Sequence, residues 1–404
     1  CTDGASVVER SISDSKTMKS IGLRTAIAAA AALAATCSNA TVINIIDLGG
    51  VTGSVAEQDF KIAAQYWANM FTNGTTINLG VKFGALGPGI IGSTGSRRAD
   101  FSVAGWEAAV AATRSGSWLD QNAVLPGLAG GGISGLTVGV NGSGNNDTSV
   151  TAMLDGTQTA SQVLYANSAL IKAVGGPLSS PGSLDGTITF SSSFAFDFNP
   201  TDGITPGTMD FLGVAIHEMG HALGFVSGVD LLDYYSYANG PGRGTLGYDL
   251  NDTSIFSALD MFRYSAPGTL DLRTGGTTYL SMDGGVTALM GNTFSTGRYN
   301  GDGRQASHWK DAVGCGGQLG VMDPTFCYGQ MGDITALDVA AFDAMGWNLS
   351  VNALAGQYNI TSKQIFQYYG GVPEPTSWAL MLAGFGLMGT AIRRQRRTTT
   401  AQAA

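Results

Sequence analysis

The chain has 404 residues, 44% hydrophobic and 13% charged, with 59 Gly and 11 Pro. That apolar share excludes a disordered chain, and glycines without a fixed period exclude a collagen. The net charge of −9 comes almost wholly from aspartate, since glutamate stands only at Glu9, Glu57, Glu107, Glu218 and Glu374. No basic stripe exists outside the last residues, so no nucleic acid partner is expected. Glycine at about twice its usual share of ~7%, with abundant Ser, Thr and Asn, predicts a turn-rich body.

Lys19 and Arg24 precede the alanine-rich run 26–35, and Ser38-Asn39-Ala40 offers small residues at a cleavage site. This predicts a secretory signal peptide starting at Met18 and cut after Ala40, so residues 1–40 are read as a leader. Cys37 lacks the flanking residues of a lipoprotein site. Residues 41–350 then read as one exported globular unit and 351–371 as a linker. Strands are expected over 42–46, 76–83 and 186–191, and helices over 57–71, 104–113 and 161–174. The helix over 57–71 has Phe60, Ala63, Ala64, Trp67 and Phe71 on one face. A loop-dominated region is expected after about residue 228, which makes the class α+β.

Pro206 is read as the start of a helix that continues through Phe211 to Leu223 and stops at Gly224. It carries His217-Glu218-Met219-Gly220-His221. Residues four apart share a helical face, so both imidazoles can meet one cation while Glu218 reaches a water on it. Zinc suits imidazole, and a site with three protein ligands keeps a position open for chemistry. Chance placement of this pattern, with three His and five Glu in the chain, has odds on the order of one in several thousand. A third ligand is needed. Ser227 occupies the position where a compact HExxHxxGxxH signature has its last histidine, and it is a poor zinc ligand. The remaining histidine is His308, and Asp230 and Asp233 are rivals, since a carboxylate shortly after the helix can also bind zinc.

Two further features belong to an exported chain. Cys315 and Cys327 form an even pair outside the leader, so a disulfide is expected. The Asp-rich loops 197–203 and 300–303 have some calcium character, but lack the register of an EF-hand, and turn chemistry explains them better. At the C-terminal end, residues 376–392 form an uncharged run at the short limit of a bilayer span, followed by Arg393, Arg394, Arg396 and Arg397. The arginines are expected to stay cytoplasmic, with residues 398–404 as a tail.

Pro373-Glu374-Pro375, the apolar run and the basic end, together residues 372–397, resemble the PEP-CTERM sorting signal of Gram-negative bacteria. That resemblance implies an envelope sorting protease as a partner and the cell envelope or extracellular matrix as the destination, with anchoring through residues 376–392. His217 to Phe225, then Ser307-His308-Trp309, then Gly320-Val321-Met322-Asp323-Pro324 resemble the leishmanolysin-type metzincins. There the third histidine comes late, is followed by Trp and precedes a Met-turn. The resemblance implies a twisted mixed sheet above a cleft, the His217 helix beneath it and a loop-rich lower half. It implies His217, His221 and His308 as zinc ligands, Glu218 as general base, Met322 under the metal, and a protein or peptide as substrate. The chain departs from leishmanolysin itself in having far fewer cysteines and a longer insertion between Phe225 and Ser307. A non-catalytic matrix or adhesion protein that keeps zinc for stability is the reading from a different class.

Overall fold

Hydrophobic alternation places the central sheet. Ile77, Leu79 and Val81 are fully buried on β2 (Thr76–Gly84), which pairs in parallel with β1 (Val42–Gly49) on one side. These facts come from a computed structural model that describes residues 40–370, apart from 141–146, 148, 236–239, 243–248, 313 and 355–357. The expected leader up to residue 39 lies outside the described residues, as do Pro373, Glu374, Pro375 and the 376–392 run. Among the described residues, no helix is long and apolar enough to cross a membrane.

The elements run in mixed order, and the α+β class is borne out. After β1 comes α1 (Ala56–Met70), then β2, β3 (Gly92–Ser96), β4 (Arg98–Ser102) and α2 (Val103–Thr113). They are followed by β5 (Val163–Asn167), α3 (Ser168–Ala173) and β6 (Gly186–Ser191). Next come α4 (Phe211–Leu223), α5 (Val229–Tyr234), β7 (Asp333–Thr335), α6 (Ala336–Met345), β8 (Asn359–Thr361) and α7 (Ser362–Tyr369). The sheet order is β1-β2-β6-β3, with the first three strands parallel and β3 antiparallel to β6 at the edge. Between Tyr235 and Asp333 the described chain holds only short strands and 3-10 turns, which matches the loop-dominated expectation.

Burial explains the layering. Phe60 of α1 meets Phe190 of β6 and Phe211 of α4 edge-on, with centroids 5.2 and 5.1 Å apart, so one aromatic ties helix to sheet and to the central helix. The whole expected apolar face of α1 is buried. Four indoles are buried with their N–H groups satisfied, by Ile216 O for Trp67, Met345 O for Trp106, Asp338 Oδ1 for Trp309 and Leu223 O for Trp347.

Three expectations need correction. Residues 161–174 do not form one helix: a short turn of helix over Thr159–Gln162 gives way to β5, and helix resumes at Ser168. Val163 to Asn167 pair in register with Ser102 to Arg98, and this ladder overrides the helical propensity of the segment. Pro206 does not start α4. Met209 and Asp210 pair first with Phe196 and Asp197, and the Asp210 carboxylate then caps the helix by accepting from Gly213 N at 3.0 Å. The segment 351–371 is not a bare linker, because β8 pairs with β7 and α7 returns to the body through Ser362 Oγ donating to Asp210 at 2.5 Å.

Asp59, on the buried face of α1, has no hydrogen-bond partner for either carboxylate oxygen among the described residues. Burial, and then the charges of Asp210 and Asp197, push its pKa up to about 8. The folded state therefore holds this proton more tightly than the unfolded chain does. Its contribution to stability is intact below about pH 4 and is lost as the pH rises towards 8. Asp59→Asn should leave the melting temperature unchanged at pH 4 and raise it on the order of 5 °C at pH 8, flattening the pH profile in thermal denaturation.

Candidate metal centre

Helix α4 brings the first two histidines together, and its ends are held from every side. At the C-terminal end, Gly224 adopts φ 133° and the Phe225 N–H returns to Gly220 O at 3.1 Å, closing the last turn. Asn167 Nδ2 donates to His221 O at 2.8 Å and to Ala222 O at 3.0 Å, so β5 holds two carbonyls of the last helical turn. The edge strand β3 lies along the helix, with Ser96 Oγ donating to His221 O.

His217, His221 and His308 converge although 87 residues separate the last two. Each ring has its Nδ1 on a backbone carbonyl: Val321 O at 2.7 Å, Phe225 O at 2.7 Å and Gln305 O at 3.2 Å. A carbonyl can only accept, so each Nδ1 carries the proton and each Nε2 is left with a lone pair. Those Nε2 atoms face one another, 3.1 Å between His217 and His221 and 3.1 Å between His221 and His308, with all three within 4.8 Å. Three acceptors directed at one point cannot hydrogen-bond one another. A cation at the centre resolves the conflict, and tetrahedral zinc at ~2.0–2.1 Å from each nitrogen sets ligand nitrogens roughly 3.3 Å apart. Burial keeps the rings neutral, as a metal requires: the pKa of His217 falls to about 4, that of His221 to about 3 with help from neighbouring His217, and that of His308 well below the ordinary value. The residues fit a zinc ion.

The rival carboxylates have another task. Asp230 accepts from Ala306 N at 2.6 Å, Ser307 N at 3.1 Å and Ser307 Oγ, while Asp233 accepts from Tyr299 N, Asn300 N and Asn300 Nδ2. Both fasten the long loop that carries His308 to α5, and neither joins the cluster. Ser227 likewise turns to Asp260 at 2.5 Å. The loops at Asp197 and Asp302 spend carboxylate oxygens on Asn199 N, Thr205 N, Thr296 N and Lys310, as turn chemistry predicts. Among the described residues, the three histidines are the one group arranged to hold a metal.

Beneath the site, Met322 packs against α4: a Cβ on Gly220 would lie 2.6 Å from the Met322 Sδ. The turn is pinned by Asp338, whose carboxylate accepts from Val321 N at 2.9 Å, Met322 N at 3.1 Å and Trp309 Nε1 at 2.8 Å. Cys315 and Cys327 form the expected disulfide, Cα atoms 5.6 Å apart, bracketing this turn.

Glu218 points from α4 towards β3. Thr94 Oγ1 donates to its Oε2 at 2.6 Å, and burial pushes the carboxyl pKa up to about 7 against the lowering effect of that bond. A Cβ at Gly92 would lie 2.5 Å from Glu218 Oε1, so any larger residue there would displace the Glu218 side chain. The sequence reading missed Gly92, Thr94 and Asp338. A Gly and a Thr in a Gly-rich run carry no signal of their own, whereas Thr335 and Asp338, which form the capping box of α6, offered a local one.

Gly92, Thr94, Glu218 and the three histidines line a cleft of about 680 Å³ that runs between β3, α4 and the 303–308 loop. His308→Ala should lower bound zinc well below one per chain, whereas Asp230→Asn, which loosens the loop without removing a ligand, should weaken affinity by about 10- to 100-fold and still reach one zinc at saturation. Metal analysis after titration against a competing chelator distinguishes the two. Reduction of Cys315–Cys327 without denaturant should speed zinc loss to a chelator before β1–β2 amides lose hydrogen-exchange protection.

Residues 371–397 match the PEP-CTERM protein-sorting motif. No curated protein and no solved structure matches the chain. The motif implies recognition by a sorting protease at the C-terminal end, and indicates export and sorting to the bacterial cell envelope.

Proposed function

We propose that this chain is an exported zinc-dependent endopeptidase of metzincin-like arrangement, with His217, His221 and His308 holding the ion and Glu218 acting as general base. The observation that carries the reading is a buried carboxylate, unattached to the histidine cluster, in the same cleft as three convergent imidazole nitrogens. A metal kept only for stability has no use for such a group. A zinc ion, when bound, supplies Lewis acidity that polarises a peptide carbonyl and acidifies water.

The chain's own residues do the rest. Glu218 takes a proton from water and returns it to the leaving amine. Thr94 fixes the carboxylate so that one oxygen, Oε2, is held by the hydroxyl and Oε1 is left for proton transfer. The edge strand β3 offers a peptide a place to lie extended, since its second side has no strand partner among the described residues. Met322 and Trp309 stay in the floor, where Trp309 N donates to Met322 O at 3.0 Å and so couples the third ligand to the turn. We take the C-terminal apolar run as a temporary membrane anchor in a Gram-negative envelope.

Zinc-loaded full-length protein should cleave a generic protein such as casein and lose that activity to a chelator. Glu218→Ala should retain one zinc and lose about 10²- to 10⁴-fold in kcat/KM. Unchanged cleavage by this variant would end the mechanism. Gly92→Ala, which drives a methyl group against Glu218, should lower kcat more than it raises KM, with zinc content unchanged.

A further inference from the structure

The segment that carries His308 is out of step with its neighbour. Phe294 bridges Trp309 and Gly297 bridges Arg304, both antiparallel. Between these bridges two residues, Ser295 and Thr296, stand opposite four, Gln305 to His308. The longer side must bulge, as a strand does where it re-aims a side chain, and its last residue is the histidine that meets His217 and His221.

A bulge leaves carbonyls that the ladder no longer serves. Arg263, on the short strand Arg263–Ala266, serves one on each side. Its Nη2 donates to Ser295 O at 2.7 Å and its Nη1 to Ala306 O at 3.2 Å. Ser295 in turn donates from N to His308 O at 3.0 Å and from Oγ to Trp309 O at 2.8 Å. Because Asp230 takes the Ala306 N–H, the backbone two residues before the ligand is gripped at both its donor and its acceptor.

A buried guanidinium is a costly way to satisfy two carbonyls. Arg263 is 1% exposed, its Nε has no acceptor, and no carboxylate bonds to it among the described residues. Asp260, Asp230, Asp271 and Asp302 reach it only through their charges. Its remaining contact is aromatic: the guanidinium carbon lies 4.7 Å from the Phe294 ring centroid, and Phe294 stacks on Trp309 with centroids 4.9 Å apart. Trp309 follows His308 and donates to Asp338, which also holds Met322 N. One side chain thus touches both sides of the bulge and the ring stack behind the ligand. A lysine carries the same charge but lacks the fork that reaches two carbonyls at once.

We infer that Arg263 is the positioning residue for the third histidine, holding the 305–308 bulge in the register that aims His308 at the other two rings. The inference rests on the metal-binding part of the proposed function and not on peptide cleavage.

The test titrates full-length protein, Arg263→Lys, Arg263→Met and His308→Ala with zinc against a competing chelator. The cobalt(II)-loaded forms are compared by visible absorption, which reports ligand number and geometry. Arg263→Lys should bind zinc about 10- to 100-fold more weakly than the unaltered chain. Its cobalt spectrum should move towards that of His308→Ala, while hydrogen-exchange protection of the β1–β2 amides stays unchanged. Arg263→Met should show the same loss or a larger one; if it does not fold, the lysine variant carries the test. A residue that only stabilises the lower half would lower the melting temperatures of the apo and zinc-loaded forms equally, which is the same as leaving affinity untouched. Zinc affinity within twofold of the unaltered chain in Arg263→Lys, with an unshifted cobalt spectrum, overturns this inference alone. No zinc uptake by the unaltered chain would remove the metal-centre reading, and this inference with it.

Discussion

Three nitrogen lone pairs aimed at one point are the constraint around which the rest of this molecule is arranged. Neutral imidazoles gain nothing from meeting at 3.1 Å, so the arrangement must be imposed by the surrounding structure. It is imposed through the other side of each ring, where a backbone carbonyl fixes both orientation and tautomer. Those carbonyls belong to three different segments: the residue after α4's terminal glycine, the loop before His308, and the turn beneath the helix. A cation held by the three nitrogens would convert the convergence from a cost into a link between α4 and the His308 loop.

The lower half has few regular elements to hold such a geometry, and buried aspartates take their place. Asp230 and Asp233 fasten the His308 loop to α5, Asp260 holds Ser227 and Gly228 at the exit of α4, and Asp338 gathers Trp309, Val321 and Met322. Each carboxylate accepts several N–H or O–H groups, mostly backbone donors of loops that would otherwise be buried and unsatisfied. This accounts for the composition: the acid of this chain is aspartate because the short side chain reaches neighbouring backbone N–H groups in turns, which glutamate does less well. The disulfide adds a covalent clamp to the one turn of this half that touches the ligand set from below.

Much of the site was legible in the sequence because it obeys local rules. His217, Glu218 and His221 follow from helical spacing, and His308 from the scarcity of histidine. The strand expected over 76–83 announces itself by alternation, and the one over 186–191 is found where it is expected. What could not be read depended on pairings between distant segments. Val163 to Asn167 lies in a run that reads as helix and forms a strand because Arg98 to Ser102 lies beside it. Asp230 stays open as a rival ligand in the sequence for the same reason: its position near the helix suits a ligand, and only the path of the chain 76 residues later shows the carboxylate taken by Ala306 and Ser307. Residues 359–369 were read as linker because a three-residue strand followed by two turns of helix carries little periodicity.

The glycines on either side of α4 show how tightly the two halves must close on the helix. A methyl group at Gly220 would meet Met322 from below, and one at Gly92 would meet Glu218 from above. Both distances, 2.6 and 2.5 Å, are far under van der Waals contact, so neither residue tolerates even alanine without a shift of its neighbour. The consequences differ by side. Below, the neighbour is a flexible thioether that can yield, and its yielding disturbs the floor on which His217 rests through Val321. Above, the neighbour is the Glu218 carboxylate, held by Thr94 on the same strand, so any displacement acts directly on the group we propose as the base. The glycine within the HExxH motif therefore secures the floor beneath the histidines, and the glycine on the edge strand secures the position of Glu218.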